Sequence, residues 1–227
     1  MARSFLTALA LCILLTASVS SHASSGTFID THGLKDLEPI DNFLSGGMGG
    51  FGSQGKHDYG ITFSSNALAI KSYVQGGAGG FFPPLGNAPA IFFNSGTQGY
   101  MNVANGFTTG MQFFYAAGAT MTVTVWSGAN GTGTALATIT LSSNSGSGNG
   151  CSGFPTFCNW TSVGLTFSGT GKSVTFKGPA NQLAIADITI GSNVTALPEP
   201  SSLLLLGSGL VALSARFRKS GRARPRG

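Results

Sequence analysis

Between Ser24 and Pro200 the chain has no arginine at all, and only five lysines stand against seven acidic residues. A nucleic-acid surface needs a basic patch, so nucleic acid is excluded as a partner. The formal charge of +5 belongs to the ends: Arg3 and six basic residues from Arg216 onward supply seven of the twelve cations. Histidine is scarce too, with only His32 and His57 outside the first 23 residues. His57-Asp58 has the look of a base beside its orienter, but neighbours in a strand point to opposite faces and no Gly-x-Ser-x-Gly elbow is present. A solvated loop is expected there. The glycine clusters 46–50 and 76–80 lack the Lys-Ser/Thr of a phosphate loop and are expected to be flexible surface loops. A glycosidase needs two carboxylates across one cleft. Asp36, Glu38 and Asp41 do cluster, but beside Pro39 in a turn-rich segment, where a solvated acidic loop is expected.

Charge is missing in a more telling way at the two ends. Arg3, an apolar run over 5–19 and the small-x-small triplet Ser21-His22-Ala23 have the pattern of a secretory signal peptide over residues 1–23. Cleavage is expected between Ala23 and Ser24, by signal peptidase after passage through the general secretion machinery. Cys12 lies within that segment, and Leu11 before it is not the small residue that a lipoprotein site needs. Cys151 and Cys158 then remain as an even pair in an exported chain, expected as a disulfide around a short loop. No histidine or third cysteine lies near enough in sequence to make them a metal site.

At the other end no charged residue occurs over 201–215. As a helix those fifteen residues span about 22 Å, less than the roughly 30 Å of a bilayer's hydrocarbon core. Phe217 and snorkelling Arg216 and Arg218 extend the reach, so a short transmembrane helix over 201–217 is expected, with a basic tail over 216–227 on the cytoplasmic side. Directly before it stands Pro198-Glu199-Pro200. Short polar motif, apolar span and cationic stop together closely resemble the PEP-CTERM sorting signal of Gram-negative bacteria, here over 197–227. The resemblance implies recognition by an exosortase, a membrane cysteine transpeptidase that cuts near the motif. It further implies transient membrane anchoring, then release to the cell surface or the extracellular material of species that make exopolysaccharide. The rival cell-wall motif Leu-Pro-x-Thr-Gly fails, because Pro200 and Ser201 occupy its last two places.

The intervening 24–196 is long enough for one domain with a sizeable core. It is rich in Gly, Ser, Thr and Phe, a composition that suits short strands and glycine turns. Alternation is clean over 120–126, with Met121, Val123 and Val125 on one face, and again over 135–141. The loop between them carries the turn signal Asn130-Gly131. Further strands are expected at 67–74, 90–93, 100–103, 111–116, 160–167, 173–176 and 183–190. Many short strands with regular turns give an all-β fold class, an antiparallel β-sandwich of jelly-roll type. Residues 58–192 also resemble the β-sandwich ectodomains common among PEP-CTERM proteins, through Tyr59-Gly60-Ile61-Thr62-Phe63, Met101-Asn102-Val103-Ala104-Asn105-Gly106-Phe107, Gly128-Ala129-Asn130-Gly131-Thr132-Gly133, the 151–160 loop and Ala186-Asp187-Ile188-Thr189-Ile190. Ala186 departs from that pattern, which often carries an acid or asparagine there.

In sugar-binding jelly rolls a structural calcium often ties the first strand to the last. Asp30, near the start, and Asp187, late in the last strand, are the candidate ligands for one. Trp126, Trp160, Tyr59, Tyr73, Tyr100 and Tyr115 are candidates for a sugar-stacking platform, with core packing as the simpler role. The expected function is a non-catalytic structural or adhesive surface protein. The alternatives are a carbohydrate-binding module for exopolysaccharide and, behind it, a secreted hydrolase.

Overall fold

The computed structural model describes residues 26–84 and 86–191, and the structural statements below concern these. Eleven strands are present among them: β1 (Thr27–Phe28), β2 (Ile61–Phe63), β3 (Ala67–Ile70), β4 (Ala90–Phe93), β5 (Gln98–Phe107), β6 (Gly110–Ala117), β7 (Met121–Trp126), β8 (Ala135–Leu141), β9 (Thr161–Thr166), β10 (Gly171–Lys177) and β11 (Leu183–Ile190). They form two antiparallel sheets. The first runs β3-β4-β11-β6-β9 with β1 added along β11, and the second runs β2-β5-β10-β7-β8. Among the described residues no helix is long and apolar enough to cross a membrane. The leader, the apolar span at 201–217, Ala23, Ser24, Pro198, Glu199 and Pro200 lie outside the described residues.

Alternation builds the core. Met121, Val123 and Val125 are buried on one face of β7, and Val123 pairs with Phe176 of β10 and Ile139 of β8. Phe176 sits where the sheets meet, 5.5 Å from Phe93 and 6.1 Å edge-on from Phe113, both of the first sheet. Full burial of one such ring contributes about 1.5–3 kcal/mol. Phe93 in turn lies flat on Gly99 of β5: a Cβ there would fall 1.9 Å from the ring. Between β7 and β8 the Asn-Gly signal is realised, with Asn130 and Gly131 both left-handed (φ 55° and 72°).

A second, smaller cluster forms on the outer face of the first sheet. Phe81, Ala90, Ala184 and Ala186 are buried there, with Ile70, Phe157 and Trp160 packed against them. The segments that cover this face are the β3–β4 connection and the loop closed by the Cys151–Cys158 disulfide.

Three expectations are corrected. The strand expected over 67–74 stops at Ile70, because buried Ser72 and Gln75 form a capping box around a 3-10 turn, Tyr73–Gln75. The glycine clusters are close-packed rather than loose: a Cβ at Gly49 would sit 2.6 Å from Glu38 Oε1, and one at Gly77 would sit 2.4 Å from the Lys71 carbonyl. The acidic segment is likewise not a solvated loop. Glu38 is fully buried, and its carboxylate accepts the amides of Lys35, Phe51 and Ser53 and the Ser53 hydroxyl at 2.5–3.0 Å. Asp36 accepts the amides of Lys71 and Ala78 at 2.7 and 2.9 Å.

Candidate functional site

Strand register carries the first candidate calcium ligand toward the second, at a bulge within β11. β1 pairs Thr27 with Ile190 and Phe28 with Thr189, and the Ile29 amide then donates to the Ile188 carbonyl at 2.8 Å. The same antiparallel course carries Asp30 toward Asp187. Ile188 and Ile190 are buried in the core, so the chain must resolve the spacing with a bulge, and the β11–β6 register shifts between Ala186 and Thr189. Asp187 takes up the bulge with φ 51°, a left-handed conformation that aspartate tolerates better than most residues.

His32 links the cluster. Its Nδ1 lies 2.6 Å from Asp30 Oδ1 and its Nε2 lies 3.0 Å from the Gly86 carbonyl, while its own amide donates to Asp30 Oδ1 at 2.8 Å. Both ring partners are acceptors, so a ring that satisfies both must carry a proton on each nitrogen. Gly86 is also the neighbour of Asp187: a Cβ at Gly86 would sit 3.0 Å from Asp187 Oδ1. That oxygen is buried and has no hydrogen-bond partner.

The two carboxyls are driven apart. Burial pushes Asp30 up, but the His32 amide, ring and charge, together with Lys56, hold it below the ordinary carboxylate range. For Asp187 burial dominates and pushes the carboxyl up. The Gly86 amide and His32 oppose this without reversing it, and that amide makes no well-formed bond to Oδ1.

Calcium takes six to eight oxygens. Asp187 Oδ1 is free to offer, but Asp30 Oδ1 and the Gly86 carbonyl are engaged by His32, whose ring lies where a cation would sit between them. Among the described residues no group of three or more His, Cys, Asp or Glu side chains is placed to hold a metal. In this arrangement the set does not fit calcium. His57 and Asp58 do not join either: His57 packs at 5.7 Å against Tyr59, and Asp58 Oδ1 accepts the Gly60 amide at 2.8 Å.

The aromatic candidates divide. Tyr115 is buried, and Trp126 lies half-buried across the second sheet with Nε1 donating to Thr175 Oγ1 at 2.9 Å. Trp160 packs edge-on against Phe81 at 5.4 Å and donates to the Phe82 carbonyl at 2.9 Å. Tyr73 meets Phe82 at 6.0 Å and Phe154 at 4.4 Å. Phe82 and Phe154 are 46% and 64% exposed, and sequence reasoning passed over both, since a phenylalanine among strands reads as core. No local signal distinguishes them except their place in loops with Pro83, Pro84 and Pro155.

Residues 196–219 match the family described as the PEP-CTERM protein-sorting motif. The chain carries that signal and is thus a PEP-CTERM sorting domain-containing protein, with its β-sandwich ending at Ile190, a few residues ahead of the match. No curated protein matches the chain. Among solved structures it is similar to the module CsCBM6-3 from Clostridium stercorarium in complex with cellobiose (17% identity, 58% of this chain and 86% of that one, TM-score 0.36). It is also similar to a carbohydrate-binding module from Cellvibrio mixtus lichenase 5A in complex with cellotriose (14% identity, 56% and 88%, TM-score 0.32). A third is the cleaved adhesin domain of Lys-gingipain from Porphyromonas gingivalis (12% identity, 56% and 91%, TM-score 0.33).

Proposed function

We propose that this chain is an exported, exosortase-processed surface or extracellular-matrix protein with a structural or adhesive, non-catalytic β-sandwich. The sorting motif at 196–219 is the observation that carries the reading. The leader over 1–23 directs export, the apolar segment over 201–217 anchors the precursor, and exosortase cuts near Pro198-Glu199-Pro200 to release the sandwich. The Cys151–Cys158 disulfide supports an oxidising destination. Intact mass tests it: cells with the sorting enzyme yield a chain that begins at Ser24 and lacks the basic tail, and cells without it retain everything through Gly227. A tail retained in both would leave a permanent anchor. Alanines at Pro198, Glu199 and Pro200 are expected to trap the membrane-bound precursor.

Exopolysaccharide binding is the second reading, and it fares worse on geometry. Sugar platforms want coplanar rings, whereas Tyr73 is inclined at 50° to Phe82 and 65° to Phe154. Retention of the released chain on a polysaccharide column would reinstate it. The misfit of Asp30 and Asp187 to calcium is tested by calorimetry: a chelator-treated chain is expected to give no heat with millimolar calcium, and heat that vanishes in Asp187→Asn would overturn that reading.

A further inference from the structure

Of the seven large apolar side chains exposed among the described residues, Phe82 and Phe154 flank Tyr73 on the side of the first sheet's outer face, and Phe28 faces outward from the same sheet. Phe28 pairs with Thr189, whose neighbours Ile188 and Ile190 point into the core, so both face outward from the first sheet. Phe82 and Phe154 pack around Tyr73 above the smaller cluster on that same face, and Val74 follows Tyr73. Exposed rings grouped as Phe82 and Phe154 are around Tyr73 mark an interaction site.

The course of the chain says what it meets. Gly86, four residues past Phe82, lies beside Asp187, and the chain runs only four residues further, through the end of β11 at Ile190, to Gly191. Ten residues separate Gly191 from Ser201, at most about 35 Å of fully extended chain. An apolar span held in the bilayer therefore keeps this face within reach of the membrane surface. Tyrosine and tryptophan rings settle at that boundary; here Tyr73 and Trp160 adjoin Phe82, and the exposed Phe82 and Phe154 rings add apolar area beside them. The neighbouring charges do not call for anionic lipid: Asp30 is matched by His32, Asp36 by two backbone amides, and Lys71 is the cation in the adjoining segment.

We infer that the Tyr73–Phe82–Phe154 face lies against the lipid surface while the precursor is anchored, and leaves it when the tail is cut. This rests on the anchoring proposed above. The test uses the full chain reconstituted into phosphatidylcholine vesicles with brominated acyl chains, in W126F and W160F forms that each keep one tryptophan. Trp160, bonded to the Phe82 carbonyl, is expected to be quenched at least about twofold more than Trp126 on the opposite sheet, as shallow interfacial seating requires. Changing Phe82 and Phe154 together to serine should bring Trp160 down to the Trp126 level while the chain still floats with the vesicles. A chain that floats with Trp160 unquenched, whether the face is bare or covered by a second copy, overturns the inference alone. A chain that does not float overturns the anchoring reading and the inference with it.

Discussion

Glu38 shows how much one buried carboxylate can organise. The segment 33–58 contains no regular strand, yet it is fixed by four hydrogen bonds converging on this side chain. Burial alone would raise its pKa, but the Ser53 hydroxyl and the Lys35, Ser53 and Phe51 amides outweigh it and hold the group below the ordinary range. Its contribution is therefore complete above the unfolded value near 4.3 and disappears as pH falls through the depressed folded value. Glu38→Gln puts a donor where only acceptors fit, and we expect it to cost about 2–4 kcal/mol in urea unfolding at neutral pH, with a shallower loss in acid than the parent. Asp187 has the opposite sign. Its raised pKa means the ionised form is penalised in the fold, so Asp187→Asn should stabilise by about 0.5 kcal/mol at pH 7, a gain that fades as acid protonates the parent carboxyl. Neither role was legible in sequence. Asp36, Glu38 and Asp41 around Pro39 read as a solvated turn because two of the three amides that bind Glu38, and the Ser53 hydroxyl, come from 13 to 15 residues away.

At the level of elements, period-two alternation located β7 and β8 closely, since each has one face in the core and one outside. The strand expected over 67–74 ran too long because the strand-favouring Tyr73 and Val74 follow Lys71 and Ser72, while Ser72 and Gln75 carry the local stop signal. The disulfide loop follows the spacing of its cysteines. What lay beyond the sequence was its task, which is to press Phe157 and Trp160 onto the outer face of the first sheet. Cys151→Ser with Cys158→Ser should lower stability by about 2.5 kcal/mol on the chain-entropy account. Thermal melts with and without reductant check this: the parent in reductant should approach the double variant, and the variant should not respond.

For the whole molecule the sorting device was the most readable feature, since charge depletion, a proline-flanked acid and a basic end need no tertiary information. The antiparallel pairing of the first strand with the last was readable, and Asp30 follows β1 as it runs back along β11 toward the bulge at Asp187. His32 was not foreseen, because its approach to Gly86 spans 54 residues. A further outcome belongs to this scale: alanines at Pro198, Glu199 and Pro200 should shift the chain from culture medium to membranes without changing its melting temperature, because the altered positions follow the last strand of the described residues. Fractionation and a melt on the same samples check both halves.

Between Asp30 and Asp187 six carboxylates stand against five lysines, so this stretch carries little net charge and leaves most of its surface to hydroxyls, amides and a few rings. Such a surface has little electric reach, and dissolved salt finds almost nothing to screen. A partner held by such a surface would be held by short-range contact, about as firmly in brine as in fresh water.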